Sequence, residues 1–295
     1  MEPSILFKTS GNNSALTAIA IDSKGKRMAC GTVDAEIILI DAKKEKPQRI
    51  LNGHEGIISG LQFIKNGSRL LTSSWDQTAR VWSCSKGTAS PNMVSHNSDF
   101  KELSVQEDVG KGAIGTRDGL VKIFSLKNMK CLRNLPTHQK DISGIALTDD
   151  GSYLVSASYD GGVKLWDMSG YGFVKNLLRQ KERVRSLALD TATDRAYVGL
   201  QSGNIRSVSL ENARNRTELN EHTDFVSCLS INPTNRYLAS GSWDRTLRIW
   251  DMDSGELISS STCRNGISSV VWHPSGNNLY TTDFTGSLIS WKIDL

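Results

Sequence analysis

The chain alternates between short hydrophobic runs and short polar turns. Residues 221–261 illustrate the pattern. The hydrophobic run FVSCLSIN is followed by the turn NPTN, and the runs YLASGS and TLRIWD come next with a tight turn between them. The turn DSG then leads into the run ELISSS. Short strands bounded by Gly, Asn, Asp and Pro and repeated about every 8–12 residues are typical of all-β proteins. No segment shows sustained helical periodicity, so we expect an all-β fold.

The tight turns recur at a nearly constant distance. The segments SSWDQTARVWS (73–83), SASYDGGVKLWD (156–167) and SGSWDRTLRIWD (240–251) align, and their aspartates lie 84 residues apart. Intermediate units fall in the same register, with a spacing of 42 residues five times and 41 once. The register positions are Asp34, Asp76, Asp118, Asp160, Ser202, Asp244 and Thr285. Seven units with four strands each predict a β-propeller that occupies residues 1–295 as a single domain.

The units resemble the WD-repeat family of seven-bladed β-propellers over the whole chain. The residues that carry this resemblance are Trp166-Asp167 and Trp250-Asp251 at strand ends, and Gly53-His54, Thr137-His138 and Glu221-His222 at unit starts. The resemblance implies a closed ring of four-stranded antiparallel blades in which the N-terminal strand completes the last blade. We therefore expect SILFKTS (4–10) to pair with the strand in SLISWKIDL, because closure removes open sheet edges.

The resemblance also implies buried hydrogen-bond chains, here called tetrads, that link Asp, His, Ser or Thr, and Trp. Three are complete: His54, Thr72, Asp76 and Trp82; His138, Ser156, Asp160 and Trp166; His222, Ser240, Asp244 and Trp250. A buried indole N–H needs an acceptor, and a buried carboxylate needs several donors, so a structural role fits. A hydrolase triad is disfavoured, because such a triad is built once beside an oxyanion hole and a pocket. We expect no enzymatic activity.

The odd-numbered units depart from the tetrad pattern. Their register positions hold Asn12, Cys30, Asp34 and Ile40 in unit one; His96, Ile114, Asp118 and Phe124 in unit three; Gln180, Val198, Ser202 and Val208 in unit five; and Cys263, Thr281, Thr285 and Trp291 in unit seven. These residues predict that apolar packing replaces part of the polar chain, most completely in unit five.

Composition narrows the functional classes. The net charge of +4 is spread along the chain, which is weak evidence for an acidic partner. The five cysteines form no CxxC pair, so neither disulfides nor zinc is expected and a reducing compartment fits. The stretch GKGAIG (110–115) matches a nucleotide-binding pattern that has meaning only between a strand and a helix, and the histidines are scattered. We expect no cofactor, metal, small-molecule substrate or membrane span, and an intracellular protein, cytoplasmic or nuclear or both.

By resemblance, partners dock on the narrow face around the central channel. The residues mapped there form an aromatic arc from blades six, seven, one and two, with Phe225, Trp243, Phe284 and Trp75, and a basic arc from blades three to five, with Lys101, Arg117, Asp141, Tyr159, Arg183 and Arg185. Clustered exposed aromatic rings are costly unless a partner covers them, and Trp, Tyr and Arg anchor interfaces. The alternative interpretation is that Trp75 and Trp243 only cap their blades.

Three functional hypotheses follow. The favoured one is a non-enzymatic scaffold or adaptor that binds proteins or peptides within a multiprotein complex. The second is a reader of modified peptides, in which aromatic rings cage a methylated lysine or arginines hold a phosphate. The third is an RNA-associated propeller in ribosome or splicing assemblies, which a salt-dependent RNA interaction would favour. The sequence does not identify the partner.

Overall fold

The protein is a closed ring of seven blades. The computed structural model describes residues 1–9, 14–213 and 216–293. These residues form 28 strands in seven four-stranded antiparallel sheets, and none of them lies in an α-helix. Accordingly, no helix among them is long and apolar enough to cross a membrane. The all-β, seven-bladed prediction is confirmed.

Blades one to four each run from an inner strand at the channel to an outer strand at the rim. Blade one contains β2 (Leu16–Ile21), β3 (Arg27–Thr32), β4 (Ile37–Asp41) and β5 (Lys46–Leu51). Blade two contains β6 (Ile58–Ile64), β7 (Arg69–Ser74), β8 (Thr78–Ser83) and β9 (Ala89–Ser95). Blade three contains β10 (Phe100–Gln106), β11 (Lys111–Thr116), β12 (Leu120–Ser125) and β13 (Cys131–Pro136). Blade four contains β14 (Ile142–Leu147), β15 (Tyr153–Ser158), β16 (Gly162–Asp167) and β17 (Gly172–Arg179).

Blades five and six repeat this order, and blade seven takes its outer strand from the other end of the chain. Blade five contains β18 (Val184–Asp190), β19 (Arg195–Leu200), β20 (Asn204–Ser209) and β21 (Arg216–Asn220). Blade six contains β22 (Val226–Ile231), β23 (Tyr237–Ser242), β24 (Thr246–Asp251) and β25 (Leu257–Thr262). Blade seven contains β26 (Ile267–Trp272), β27 (Asn278–Asp283), β28 (Ser287–Lys292) and β1 (Glu2–Lys8).

Strand β1 closes the ring, as the sequence predicts. It pairs antiparallel with β28, from Glu2 opposite Lys292 to Lys8 opposite Ser287. The strand begins at Glu2 and ends at Lys8, two residues earlier at each end than the predicted 4–10. The Thr9 backbone N–H still donates to the Gly286 carbonyl at 3.0 Å, and its hydroxyl donates to the Ser14 carbonyl at 3.1 Å. Ser10 lies outside the described residues. Closure pairs the outer edge of β28, which would otherwise be open.

The hydrophobic core lies between the blades, with one cluster at each of the seven interfaces. In every blade, the side chain six positions after the register residue of the tight turn is buried against the preceding blade. These residues are Ile40, Trp82, Phe124, Trp166, Val208, Trp250 and Trp291. Because each sheet is covered on both faces, neighbouring blades hold one another in place.

Hydroxyl groups tie neighbouring blades together beside the channel. Each such hydroxyl lies on an inner strand and donates to a backbone carbonyl of the next blade. The bonds are Thr17 to Ile58 at 2.5 Å, Ser59 to Phe100 at 2.8 Å, Ser143 to Val184 at 2.6 Å, Ser186 to Val226 at 2.9 Å and Ser227 to Ile267 at 2.5 Å. Between blades three and four, an ion pair of Lys101 and Asp141 at 3.3 Å takes this place. Rigid inner strands thus frame the channel.

Candidate functional site

The tetrad of blade two is a continuous hydrogen-bond chain. His54 Nδ1 lies 2.7 Å from Asp76 Oδ2, and His54 Nε2 lies 2.7 Å from Thr72 Oγ1. The indole N–H of Trp82 donates to the same Thr72 hydroxyl at 3.0 Å. A neutral imidazole protonated on Nδ1 satisfies every member, because the Thr72 hydroxyl then donates to Nε2 while accepting from the indole.

Blades four and six repeat this geometry. The His–Asp, His–Ser and Trp–Ser distances are 3.0, 2.9 and 3.0 Å in blade four. They are 2.8, 2.8 and 2.8 Å in blade six. Ser156 and Ser240 are fully buried, and each is occupied by an indole and an imidazole. A hydroxyl in that position has no access to a substrate, so the geometry is that of a structural support.

The tetrad aspartates remain ionised despite their burial. Burial by itself would raise the pKa of Asp76 and Asp244, but hydrogen bonds from the histidine and from Thr78 or Thr246 outweigh it and hold each pKa well below its usual range. In blade four, the His138 imidazole and the Gln139 backbone N–H lower the pKa of Asp160 against the same opposing effect of burial. Each carboxylate also anchors the tight turn that follows it.

The odd blades keep only fragments of this chain. In blade three, His96 contacts Asp118 at 3.1 Å, while Ile114 and Phe124 pack in the core. In blade seven, the Trp291 indole still donates to Thr281 at 2.8 Å. Buried side chains without a hydroxyl, amide or charge fill five more register positions: Cys30 and Ile40 in blade one, Val198 and Val208 in blade five, and Cys263 in blade seven. The other four are polar and at least partly exposed: Asp34, Gln180, Ser202 and Thr285. Asn12 lies outside the described residues.

The other candidate motifs have structural explanations. The GKGAIG stretch enters β11, and a Cβ atom on its Gly112 would lie 2.2 Å from the Phe124 ring, so packing requires this glycine. His273 contacts the Ser275 hydroxyl at 2.8 Å and the Gly25 carbonyl at 3.3 Å. Over residues 1–9, 14–213 and 216–293, no three His, Cys, Asp or Glu side chains are grouped as a metal site would need.

Three residues of the aromatic arc, Phe225, Trp243 and Phe284, form a row at one mouth of the channel, which we call the narrow face. The Trp243 ring centroid lies 5.0 Å from that of Phe225 and 5.2 Å from that of Phe284. Trp243 is 46% exposed, Phe284 is 40% exposed and Trp75, across the mouth, is 37% exposed. These side chains, together with Lys101, Tyr159 and Arg185, line one recess of about 300 Å³.

The two arcs are not separate, in contrast to their description from the sequence. The Lys101 ammonium lies 4.2 Å from the centroid of Trp75. The Arg185 guanidinium lies 4.0 Å from the centroid of Phe225 and 4.9 Å from that of Tyr159. Cations of blades three and five therefore already cover aromatic faces of blades two, four and six.

The charges of the basic arc differ in their pairing. Lys101 pairs with Asp141 at 3.3 Å, and Arg117, farther out, pairs with Asp99 at 3.1 Å. Arg183 and Arg185 have no carboxylate within ion-pairing distance among the residues that the structure describes. Arg183 is exposed, with its guanidinium 5.5 Å from the Tyr159 centroid. The positive charges of these two arginines are therefore not neutralised by a described carboxylate and could attract an anionic group.

Sequence reasoning missed Glu102. This residue follows Lys101 in β10 and lines both the recess and the channel beneath it. Desolvation raises its pKa to about 8, although the neighbouring Lys101 opposes the shift. A usable signal was present: the equivalent position in the other six blades holds only Ala18, Gly60, Gly144, Ser186, Cys228 and Ser269.

Comparison with known proteins finds WD repeats in three segments of the chain. Residues 45–83, 129–167 and 213–251 match the family model "WD domain, G-beta repeat". The chain is 34% identical over 113 residues to a periodic tryptophan protein 2 homolog of Neurospora crassa, covering 38% of this chain and 13% of that protein. It is 43% identical over 61 residues to the SAGA complex subunit Spt8 of Schizosaccharomyces pombe, covering 20% of this chain and 12% of that protein.

A more extensive match has lower identity. The guanine nucleotide-binding protein subunit beta of Oryza sativa subsp. indica is 25% identical over 257 residues, covering 78% of this chain and 68% of that protein. By contrast, the periodic tryptophan protein 2 homolog and Spt8 are each matched over only about an eighth of their own length. These matches concern the repeats, and the whole relatives extend well beyond them.

Proposed function

We propose that this chain, a seven-bladed β-propeller with WD40 repeats, is a non-enzymatic scaffold or adaptor that binds partner proteins on its narrow face. Two of the similar proteins are named as subunits, one of the SAGA complex and one of a guanine nucleotide-binding protein. Their names support a role for this chain as a subunit of a larger assembly. On this proposal, residues 1–295 act as one propeller domain.

The exposed aromatic row carries the proposal. Trp243 contacts Phe225 on one side and Phe284 on the other, and Trp243 and Phe284 are exposed while Phe225 is half-buried. Contiguous exposed aromatic surface is unfavourable in water, and interface anchors are enriched in Trp, Tyr and Arg. The partner that fits best has apolar anchors for this row and an acidic group for Arg183 and Arg185.

The test for the aromatic row compares two exposed side chains of the same blade. Trp243→Ala removes the centre of the row, whereas Ile258→Ala changes a 45%-exposed residue of the outer strand β25. Tagged wild type and both variants are purified from cells, the co-purifying proteins are identified, and binding of each purified candidate is measured directly. We expect Trp243→Ala to weaken binding at least tenfold, about 1.4 kcal/mol, while Ile258→Ala binds normally. If both variants lose affinity equally, or if neither variant loses affinity, the narrow face is not the docking surface.

The test for the charge uses two exposed arginines. Arg183→Glu should weaken the same interaction several-fold and reduce its salt dependence, because it replaces an attractive charge with a repulsive one. Arg133→Glu on the outer strand β13 makes the same charge change away from the mouth. Thermal melts of both variants establish that the propeller is intact. If Arg183→Glu binds the partner with unchanged affinity, the proposal that the partner presents an acidic group to Arg183 is wrong.

The modified-peptide hypothesis is the second candidate, and its phosphate form has the better support. Arg183 and Arg185 offer guanidinium groups suited to a phosphate. A methyl-lysine cage would need free aromatic faces, but Lys101 and Arg185 already cover faces of Trp75 and Phe225. A peptide array in which binding depends on phosphorylation would favour this candidate, and a salt-dependent RNA interaction would favour the RNA-associated one.

We also propose an intracellular location, cytoplasmic or nuclear or both. The cysteines are unpaired, and four of the five are buried. Burial raises the pKa of the Cys228 and Cys263 thiols to about 12, so both remain protonated. Such buried thiols suit a reducing compartment. Imaging of the tagged full chain tests this location.

A further inference from the structure

The channel mouth is built from a repeated backbone irregularity. In each of the seven inner strands, one extra residue interrupts the pairing with the second strand, as between Ile58 and Gly60 in blade two. Such bulges redirect side chains and are common beside functional sites. In blade three the irregularity spans Phe100 to Leu103, and it brings Lys101 and Glu102 to the mouth.

Glu102 is the anomaly in this ring. At the equivalent position the other blades have side chains no larger than cysteine, whereas blade three has a carboxyl group. No hydrogen bond or ion pair engages this carboxyl within the described part of the chain. The neighbouring Lys101 ammonium is held by Asp141 at 3.3 Å and by the face of Trp75 at 4.2 Å. The Glu102 carboxyl therefore lies partly exposed in the channel without a protein partner, whereas acids in protein interiors are usually paired.

The recess around Glu102 offers oxygen acceptors for a cationic occupant beside its own cations, Lys101 and Arg185. Ser143 and Ser227 line the same recess and donate their hydroxyl hydrogens to backbone carbonyls, so each hydroxyl oxygen keeps its capacity to accept a hydrogen bond. The titratable groups around Glu102 are Lys101, Tyr159, Arg185 and Cys228, and burial raises the pKa of both Tyr159 and Cys228, so these two stay neutral near pH 7. Carboxyl and hydroxyl oxygens are the acceptors that a donor-only ammonium or guanidinium requires.

We infer that Glu102 is the floor of a site that takes one basic side chain, lysine or arginine, inserted by the partner polypeptide through the aromatic rim. The hydrocarbon stem of that side chain would lie against Trp243 and Phe284, and its charged end would meet the Glu102 carboxylate. This inference rests on the proposed role of the narrow face and adds a specific requirement to it. The partner presents a buried cation next to its apolar anchors, in addition to an acidic group for Arg183.

Protonation gives the site a characteristic signature. With a pKa of about 8, Glu102 is largely protonated at pH 6 and largely ionised at pH 9. A cation pairs with the ionised form, so its affinity should rise across this range by about tenfold or more and then level off. A neutral molecule of the same shape should show no such rise.

The experiment uses n-butylammonium as the lysine probe, butylguanidinium as the arginine probe and 1-pentanol as the neutral control. Binding to the full chain is measured by ligand-observed NMR at pH 6, 7.5 and 9, for wild type, Glu102→Gln and Glu55→Gln. Glu55 is an exposed carboxyl in blade two, outside the recess. Glu102→Ala serves as a second variant that should fold, because other blades have small residues at this position.

We expect the cations to bind wild type and Glu55→Gln with the same rise in affinity, and to lose that rise in both Glu102 variants. Cation binding that is absent, independent of pH or unchanged by Glu102→Gln overturns the inference. The two proposals fail separately. A partner that binds Glu102→Gln like wild type but is lost in Trp243→Ala removes the basic-side-chain site and leaves the docking surface standing.

Discussion

Blades five and six have the same four strands and the same register, yet their interiors differ. In blade six, Asp244, His222, Ser240 and Trp250 form one hydrogen-bond chain. In blade five, the equivalent positions include the buried Val198 and Val208 and no such chain. Both blades nevertheless fill the interface with the preceding blade by an apolar side chain. A blade therefore requires the packing contact, and the polar chain is an added support.

The same contrast explains which segments match the family model. The three matched segments, 45–83, 129–167 and 213–251, contain the three complete tetrads. Blades one, three, five and seven fold into the same four-stranded sheets with incomplete tetrads. The packing between neighbouring blades is therefore preserved even in blades whose sequences no longer contain the complete tetrad.

The largest effect is expected at blade seven, the one blade completed from the other end of the chain. Removing residues 1–8 deletes β1, exposes the edge of β28 and removes Leu6 and Phe7 from the interface with blade one. We expect the melting temperature to fall by about 10 °C or more, with aggregation at the open edge. Adding the missing strand as a synthetic peptide should restore part of the loss. An unchanged melt would contradict closure by β1.

The second prediction compares blades six and five at one register position. Asp244→Ala removes the acceptor of His222 and of the Thr246 backbone N–H and hydroxyl, and we expect it to cost about 3 kcal/mol of unfolding free energy. Ser202→Ala, its matched control in blade five, should change stability by less than about 0.5 kcal/mol. Urea unfolding measures both. Similar costs would mean that the polar chain does not distinguish the blades.

The third prediction separates a complete tetrad from a fragment. Ser240→Ala leaves the Trp250 indole N–H and the Nε2 atom of His222 without a partner, so we expect a cost of about 2 kcal/mol. Thr281→Val in blade seven leaves only the Trp291 indole unpaired, for a cost of about 1 kcal/mol. The same urea experiment applies. A larger cost in blade seven would reverse the proposed ranking.

The smallest effect is a difference in acid sensitivity. Because the folded pKa of Asp244 is lowered, its contribution to stability is complete above the unfolded pKa near 3.9 and is lost as pH falls towards the folded value. At pH 3 this loss is about 1 kcal/mol per tetrad aspartate. Asp244→Asn should therefore lose about 1 kcal/mol less than wild type between pH 7 and 3, whereas Ser202→Ala should follow wild type. Parallel curves for all three proteins would contradict the lowered pKa.

The repeat made the ring predictable from sequence, because seven turns in constant register leave one regular arrangement of strands. The bounds of β1 were less predictable: they depend on which residues pair with β28, at the opposite end of the chain, and no local motif marks them. The tetrad contacts also followed the register, since their members are fixed by strand pairing.

The mouth was predicted only in outline. The register grouped five aromatic residues around one recess: Trp75, Tyr159, Phe225, Trp243 and Phe284. It did not predict that Arg185 stacks between two rings or that Lys101 stacks on Trp75. These contacts join residues of different blades and depend on side-chain conformations that a linear pattern does not encode. Glu102 was missed because its neighbour Lys101 occupies the position that the resemblance singles out.

Closure by β1 also has a consequence for synthesis on the ribosome. Strand β1 is translated before the other described strands and has to wait for β28, the last of them. At roughly 5–20 residues per second, that wait lasts on the order of a quarter of a minute to a minute. During this time an apolar strand and a growing, open arc of blades are both without partners. Chaperones that shield nascent chains are therefore expected to matter more for this molecule than for one whose neighbouring segments pair as they emerge.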